Sequence, residues 1–155
     1  MTQIPLDDLL PHRPPMVLID GVESFDAAAM RLVARVTIRE GQLFYAEGGV
    51  PNWVAFEYMA QTAAALVGYY DKHVAPGQPA RPGLLLGTRK LDLKLERFEA
   101  GRTYRIAAEN AFSDSDAASF VCSIEDDTGA TVATANLNAY RPPNMEKFLK
   151  EQMKT

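Results

Sequence analysis

The stretch VPNWVAFEYMAQTAAALVGYY, residues 50–70, decides the fold. It is the only long segment rich in helix formers that lacks an internal proline, and its apolar residues run round every side instead of forming one stripe. A helix of that kind is enclosed by protein. Its length approaches that of a membrane span, but Glu57, Gln61 and Thr62 fall in its first half and small residues fill much of the rest. A bilayer would penalise that pattern, so the reading is a buried central helix.

At 100° per residue, Trp53, Glu57, Gln61, Ala64 and Gly68 share one narrow strip of this helix. Ala64 and Gly68 leave room for another backbone or a slender ligand to come close. Glu57 is thereby expected to be a carboxyl group with little water around it, a setting that suits a proton donor. The competing reading is a structural glutamate hydrogen-bonded to an adjoining segment, and the helix by itself leaves both open. The start also reads two ways, with Pro51 as the first helical residue or Asn52 as the capping side chain. Either way, backbone N–H groups near residues 50–54 point out of that end, where they could polarise a carbonyl oxygen. Asp71, Lys72 and His73 close the helix, and His73 reads as a residue helped by the negative end of the dipole.

Outward from the helix, the sequence turns to strands. Before it, residues 16–22 (MVLIDGV) and 30–38 (MRLVARVTI) read as a strand pair joined by a turn at Asp26 and the alanines that follow. Between that pair and the helix lies a loop, residues 42–46 (QLFYA), bracketed by glycines, whose aromatic side chains are expected to line a cavity or an interface. After the helix, a proline- and glycine-rich connection (residues 76–83) leads to Leu91, Leu93 and Leu95, which alternate with charged residues as a strand with one apolar face. Residues 103–112, 117–125 and 131–140 supply three more strands, separated by SDSD and DDTG turns. The expectation is four strands in series as an antiparallel meander. Residues 7–10 could form one helical turn ended by the prolines of 11–15, and residues 144–153 a short terminal helix.

The whole chain, 155 residues with a net charge of −4, has room for a single domain, 1–155, and carries no basic footprint that would suit nucleic acid. Its one cysteine, Cys122, cannot form an internal disulfide and fits a small core residue in a reducing compartment. The first residues lack the basic start and apolar run of a secretory signal, so a cytoplasmic location is expected. No phosphate loop, dinucleotide fingerprint or nucleophile elbow occurs, and two histidines with one cysteine so far apart make a metal site improbable. No cofactor is expected.

The order of parts, strand pair, buried helix, long connection and further strands, resembles the α+β hotdog fold, an antiparallel sheet wrapped round one central helix. The residues carry the resemblance further. LPHRPPMVLIDGV (10–22) is similar to the opening LPHRxPxxL(V/I)DxV of the 3-hydroxyacyl-acyl carrier protein dehydratases of FabZ type. VPNWVAFEYMAQ (50–61) resembles their helix opening, and FEAG (98–101) falls where they have a Pro-Gly turn. One departure stands out. The family carries its catalytic histidine in a His-Phe-Pro segment before the helix, whereas the matching stretch here, FYAEGG (44–49), is shortened and has none. The variant signature EGxxPxW (47–53) followed by ExxAQ (57–61) resembles the ApeP-type dehydratase subunits of aryl polyene biosynthesis.

The resemblance implies a subunit that dehydrates 3-hydroxyacyl chains carried by an acyl carrier protein, as a homo-oligomer or beside a second hotdog subunit. Glu57 matches the family acid. Asn52, Trp53, Phe56 and Gln61 are its substrate-side neighbours, with Gln61 either a partner of Glu57 or purely structural. His12 matches a histidine that the family has in addition to its catalytic one; it either enters the site as the base or fastens its loop, and otherwise the base comes from a partner. Two other functions stay open at this point: a thioesterase in which Glu57 activates water, and a non-catalytic hotdog subunit that binds the acyl chain or carrier protein.

Overall fold

The computed structural model describes Leu6, Leu9, Leu10 and residues 14–74, 84–114 and 116–140. His12, the connection 76–83 and the terminal helix expected at 144–153 lie outside the described residues. The elements are β1 (Gly21–Asp26), β2 (Arg31–Thr37), β3 (Gly49–Pro51), α1 (Ala55–Tyr69), β4 (Leu84–Leu93), β5 (Arg97–Glu99), β6 (Thr103–Ser113), β7 (Ala117–Glu125) and β8 (Thr131–Tyr140). Six strands form one antiparallel sheet in the order β1-β2-β6-β7-β8-β4, and β3 pairs with β5 in a separate two-stranded ribbon.

α1 packs on one face of this sheet, against β2, β6, β7 and β8. Alternation along each strand sends Leu32, Ala34 and Val36, Tyr104, Ile106 and Ala108, Cys122 and Ile124, and Ala135 and Leu137 into the core beneath Met59 and Leu66 of the helix. The alanines on both sides, Ala55, Ala63 and Ala65 on the helix, Ala34, Ala108 and Ala135 on the sheet, bring the two layers close, and the larger side chains fill the rest. Each fully buried leucine or isoleucine contributes roughly 1.5–3 kcal/mol. No residue of α1 is exposed, in keeping with an enclosed helix. Gly68 has a specific reason to be glycine: a Cβ there would run into the carbonyl oxygen of Leu9, so the close approach expected of this strip is taken by backbone. No helix among the described residues is long and apolar enough to cross a membrane.

Four local expectations need correction. The first strand is not residues 16–22 but Gly21–Asp26. The apolar run before it is bonded to α1 through Gln61, and the chain joins the sheet only when the Asp20 N–H reaches the Arg35 carbonyl (2.8 Å). The strand carrying Leu91 does not continue a meander into β6. It pairs with β8 at the far edge, because β6 takes the open side of β2 in unbroken register from Arg31↔Glu109 to Thr37↔Thr103. A bulge between Arg89 and Asp92, with Lys90 at φ +56°, resets the alternation, leaving Leu91 exposed while Leu93 packs on the core. The helix start follows neither reading: Pro51 is the last residue of β3, and Asn52–Val54 form a 3-10 turn with no side-chain cap. The turn at Asp26 is as expected, its carboxylate accepting the Ala29 N–H (3.1 Å).

Candidate active site

Glu57 stands in the first turn of α1, half-buried, with Trp53, Phe56, Ala60 and Ala64 on neighbouring positions of the same incompletely covered side. Four residues on, Gln61 is 0% exposed. A buried primary amide must satisfy both ends, and Gln61 does. Its Oε1 accepts the backbone N–H of Leu18 (2.9 Å), and its Nε2 donates to the Met16 carbonyl (2.6 Å) and to Glu57 Oε1 (3.2 Å). One side chain thus orients the carboxylate of Glu57 and fastens the segment 16–18 to the helix. Gln61→Leu, similar in volume but unable to hydrogen bond, is expected to cost about 2–4 kcal/mol, since it strands two backbone groups and one carboxylate contact. Urea unfolding with an unchanged m-value would measure it.

The helix start is held from the opposite side. Asn52 Nδ2 donates to the Leu95 carbonyl (3.0 Å), so this side chain ties the 3-10 turn to the segment leaving β4. Trp53 is 57% exposed, with its ring edge-on to Phe44 at 5.1 Å between centroids. Phe44 and Tyr45 pack partly on the core, which accounts for these aromatic side chains without a cavity or an interface. Asn52, Trp53, Phe56, Glu57 and Gln61 are therefore brought together along one run of chain. His73 is not part of it. It sits past the end of α1 with its ring 4.5 Å from that of Tyr69, and Tyr69 is already twelve positions, about 18 Å, along the helix from Glu57.

Two supports left no clear trace in the sequence. Arg97, opposite Pro51 in the β3–β5 ribbon, donates from Nη1 to the Ala46 carbonyl (2.5 Å) and to that of Gly49 (3.4 Å). Asp20 accepts the Thr37 N–H (2.7 Å) and pairs with Arg39 (3.0 Å), closing the entry to β1 over the exit of β2. Only the aspartate in the LIDGV motif hinted at the second, and nothing short of the fold pairs Arg97 with a loop 48 residues earlier. Burial, reinforced by the Asp20 carboxylate, pushes the Tyr58 phenol well above the ordinary tyrosine range. Burial likewise pushes the Cys122 thiol up to about 12. Both stay protonated at neutral pH, so neither serves as a base or nucleophile there. No group of three metal-ligating side chains occurs among the described residues.

Comparisons with known proteins bear on the fold and the family. A family model for ApeP dehydratases, ApeP-like, matches residues 4–150. The 3-hydroxyacyl-[acyl-carrier-protein] dehydratase FabZ of Chlamydia trachomatis is 29% identical over 118 residues, covering 64% of this chain and 76% of that protein. Among solved structures, the dehydratase heterocomplex ApeI:P from Xenorhabdus doucetiae superposes with a TM-score of 0.82 at 28% identity, over 95% of this chain and 96% of its counterpart. A hypothetical thioesterase from Streptococcus pneumoniae, solved with coenzyme A, superposes with a TM-score of 0.59 at 14% identity over 78% and 84% of the two chains, a likeness of fold alone. The fold is the hotdog, and the chain belongs to the ApeP-like dehydratases, the family of fatty acid and aryl polyene biosynthesis.

Proposed function

We propose that this chain dehydrates 3-hydroxyacyl thioesters held on an acyl carrier protein, with Glu57 as the acid, as one half of a two-subunit hotdog dehydratase. The observation that carries the reading is Gln61. It joins the two stretches that match the dehydratases, residues 10–22 and 50–61, at a single point, and that point is the carboxylate of Glu57. In the reaction a base removes the proton from C2 of the acyl chain while Glu57 delivers its proton to the departing 3-hydroxyl, and water leaves as the C2–C3 double bond forms. The amides at the 3-10 turn face the thioester oxygen as enolate charge develops on it, with Asn52 fixing that turn. Trp53 and Phe56 flank the acyl chain.

The base comes from the second subunit. This chain has two histidines: His73 lies beyond Tyr69, which is itself about 18 Å along the helix from Glu57, and His12 stands in the sequence four residues before Met16, whose carbonyl Gln61 binds. The heterocomplex of the X. doucetiae relative, over nearly the full length of both chains, supports such a pairing. The edge strands β1 and β4 offer ladders for it. The same reading places the protein in the cytoplasm.

The test is incubation of the purified chain, alone and with a candidate second hotdog subunit from the same organism, with a 3-hydroxyacyl carrier protein, followed by mass spectrometry. Loss of water in the mixture is expected. Release of free acid would instead mark a thioesterase, and an unchanged acyl mass in both samples would leave a binding subunit.

A further inference from the structure

We infer that Arg97 is a positioning residue for this reaction, a clamp that fixes the helix start and the Phe44–Trp53 wall relative to Glu57 without touching substrate; this rests on the function proposed above. Residues 46–49 close on themselves, the Ala46 N–H donating to the Gly49 carbonyl (2.8 Å) and the Gly49 N–H to the Ala46 carbonyl (3.2 Å). The same two carbonyls receive the guanidinium of Arg97 from outside. The turn needs the help. Phe44, Glu47 and Gly48 all have left-handed backbone, at φ +73°, +53° and +86°, and two of the three are not glycine.

The fit of Arg97 is built into its neighbours. A Cβ on Gly49 would lie 2.8 Å from Arg97 Cγ and 2.9 Å from Cδ, so the arginine stem passes directly over the glycine. The side chain is only 30% exposed, and its ion pair with Glu47 is long (3.6 Å) and reaches a carboxylate that is 86% exposed. The carbonyl contacts, not that pair, therefore hold it. From the clamped turn the chain leads both ways into the site. Two residues before Ala46 is Phe44, packed on Trp53, and Gly49 opens β3, which runs without a break into Asn52–Val54 and on to Glu57. Two residues before Arg97, the Leu95 carbonyl holds Asn52. The segment Leu95–Arg97 thus holds both Asn52 at the helix start and the 46–49 turn that leads into it, and displacing reacting groups by about 1 Å can lower a rate about a hundredfold.

The experiment compares Arg97→Ala, Arg97→Lys and Glu47→Ala in the complex with the second subunit, using a 3-hydroxyacyl carrier protein as substrate. Arg97→Ala is expected to lower kcat roughly ten- to hundredfold with KM changed by less than about threefold and the melting curve retained; Arg97→Lys recovers part of the loss, and Glu47→Ala leaves kcat within about twofold. Trp53 is the sole tryptophan, so its fluorescence reports the same wall without substrate. Arg97→Ala should red-shift its emission and increase acrylamide quenching. Unchanged fluorescence in the folded variant, or an unchanged kcat, overturns the inference. If the unsubstituted complex does not dehydrate the substrate, the proposed function fails, and the claim about positioning for this reaction fails with it. The fluorescence arm then still decides whether the clamp itself exists.

Discussion

Glu57→Gln is expected to lower the dehydration rate of the complex by about 10²–10⁴-fold, the usual contribution of a positioned acid, and to leave the fold nearly intact. The substitution is isosteric and takes away only the transferable proton. Its amide oxygen can still accept from Gln61 Nε2, which also keeps its bond to the Met16 carbonyl while Gln61 Oε1 keeps the Leu18 N–H. Glu57 is half-buried, so exchanging a carboxyl for an amide strands no deeply buried charge. Single-turnover measurements isolate the chemical step from binding and release, and circular dichroism on the same samples checks the fold. Turnover retained within a few-fold would remove Glu57 from the role of acid.

The contrast between Gln61 and Arg97 shows which parts of such a site a sequence can display. Glu57 and Gln61 are four apart on one helix, so their meeting follows from the 3.6-residue period alone, and β7 and β8 follow from alternation between clear turns. What closes through space does not show. The run 16–20 is apolar enough for a strand, yet it is claimed by Gln61, and no local propensity reveals that a helix 43 residues later competes for the Leu18 N–H. Leu91 alternates correctly on paper, but a left-handed Lys90 shifts the phase of the strand that carries it. Asn52 has the composition of a helix cap and spends its amide on Leu95 instead, because the chain enters the helix from a paired strand, through a 3-10 turn that uses backbone groups. The helix, the chemistry-bearing residues and the family resemblance are thus local signals. The clamps that aim those residues are long-range, and they required the fold.

The chain on its own is expected to dehydrate a 3-hydroxyacyl carrier protein at no more than about a hundredth of the rate of its complex with a second hotdog subunit, because a general base contributes about 10²–10⁴-fold. The expectation rests on the placement of imidazoles. His73 packs its ring on Tyr69 beyond the far end of α1, and a proton cannot be taken across the roughly 18 Å of helix between Glu57 and Tyr69. His12 is the other histidine of the chain, and described residues on either side of it serve the fold: the Leu9 carbonyl lies over Gly68, and the Met16 carbonyl is bound by Gln61. Support is the role that this setting favours. His12→Ala in the complex should therefore keep the rate within about twofold while lowering stability by about 1 kcal/mol, the contribution of one hydrogen bond. Titrating the second subunit into a fixed amount of this chain should raise turnover to a plateau at equal stoichiometry, since each acid would then have met its base. A rate collapse in His12→Ala with an unchanged melting curve, together with full turnover by the chain alone, would make this protein its own acid–base pair.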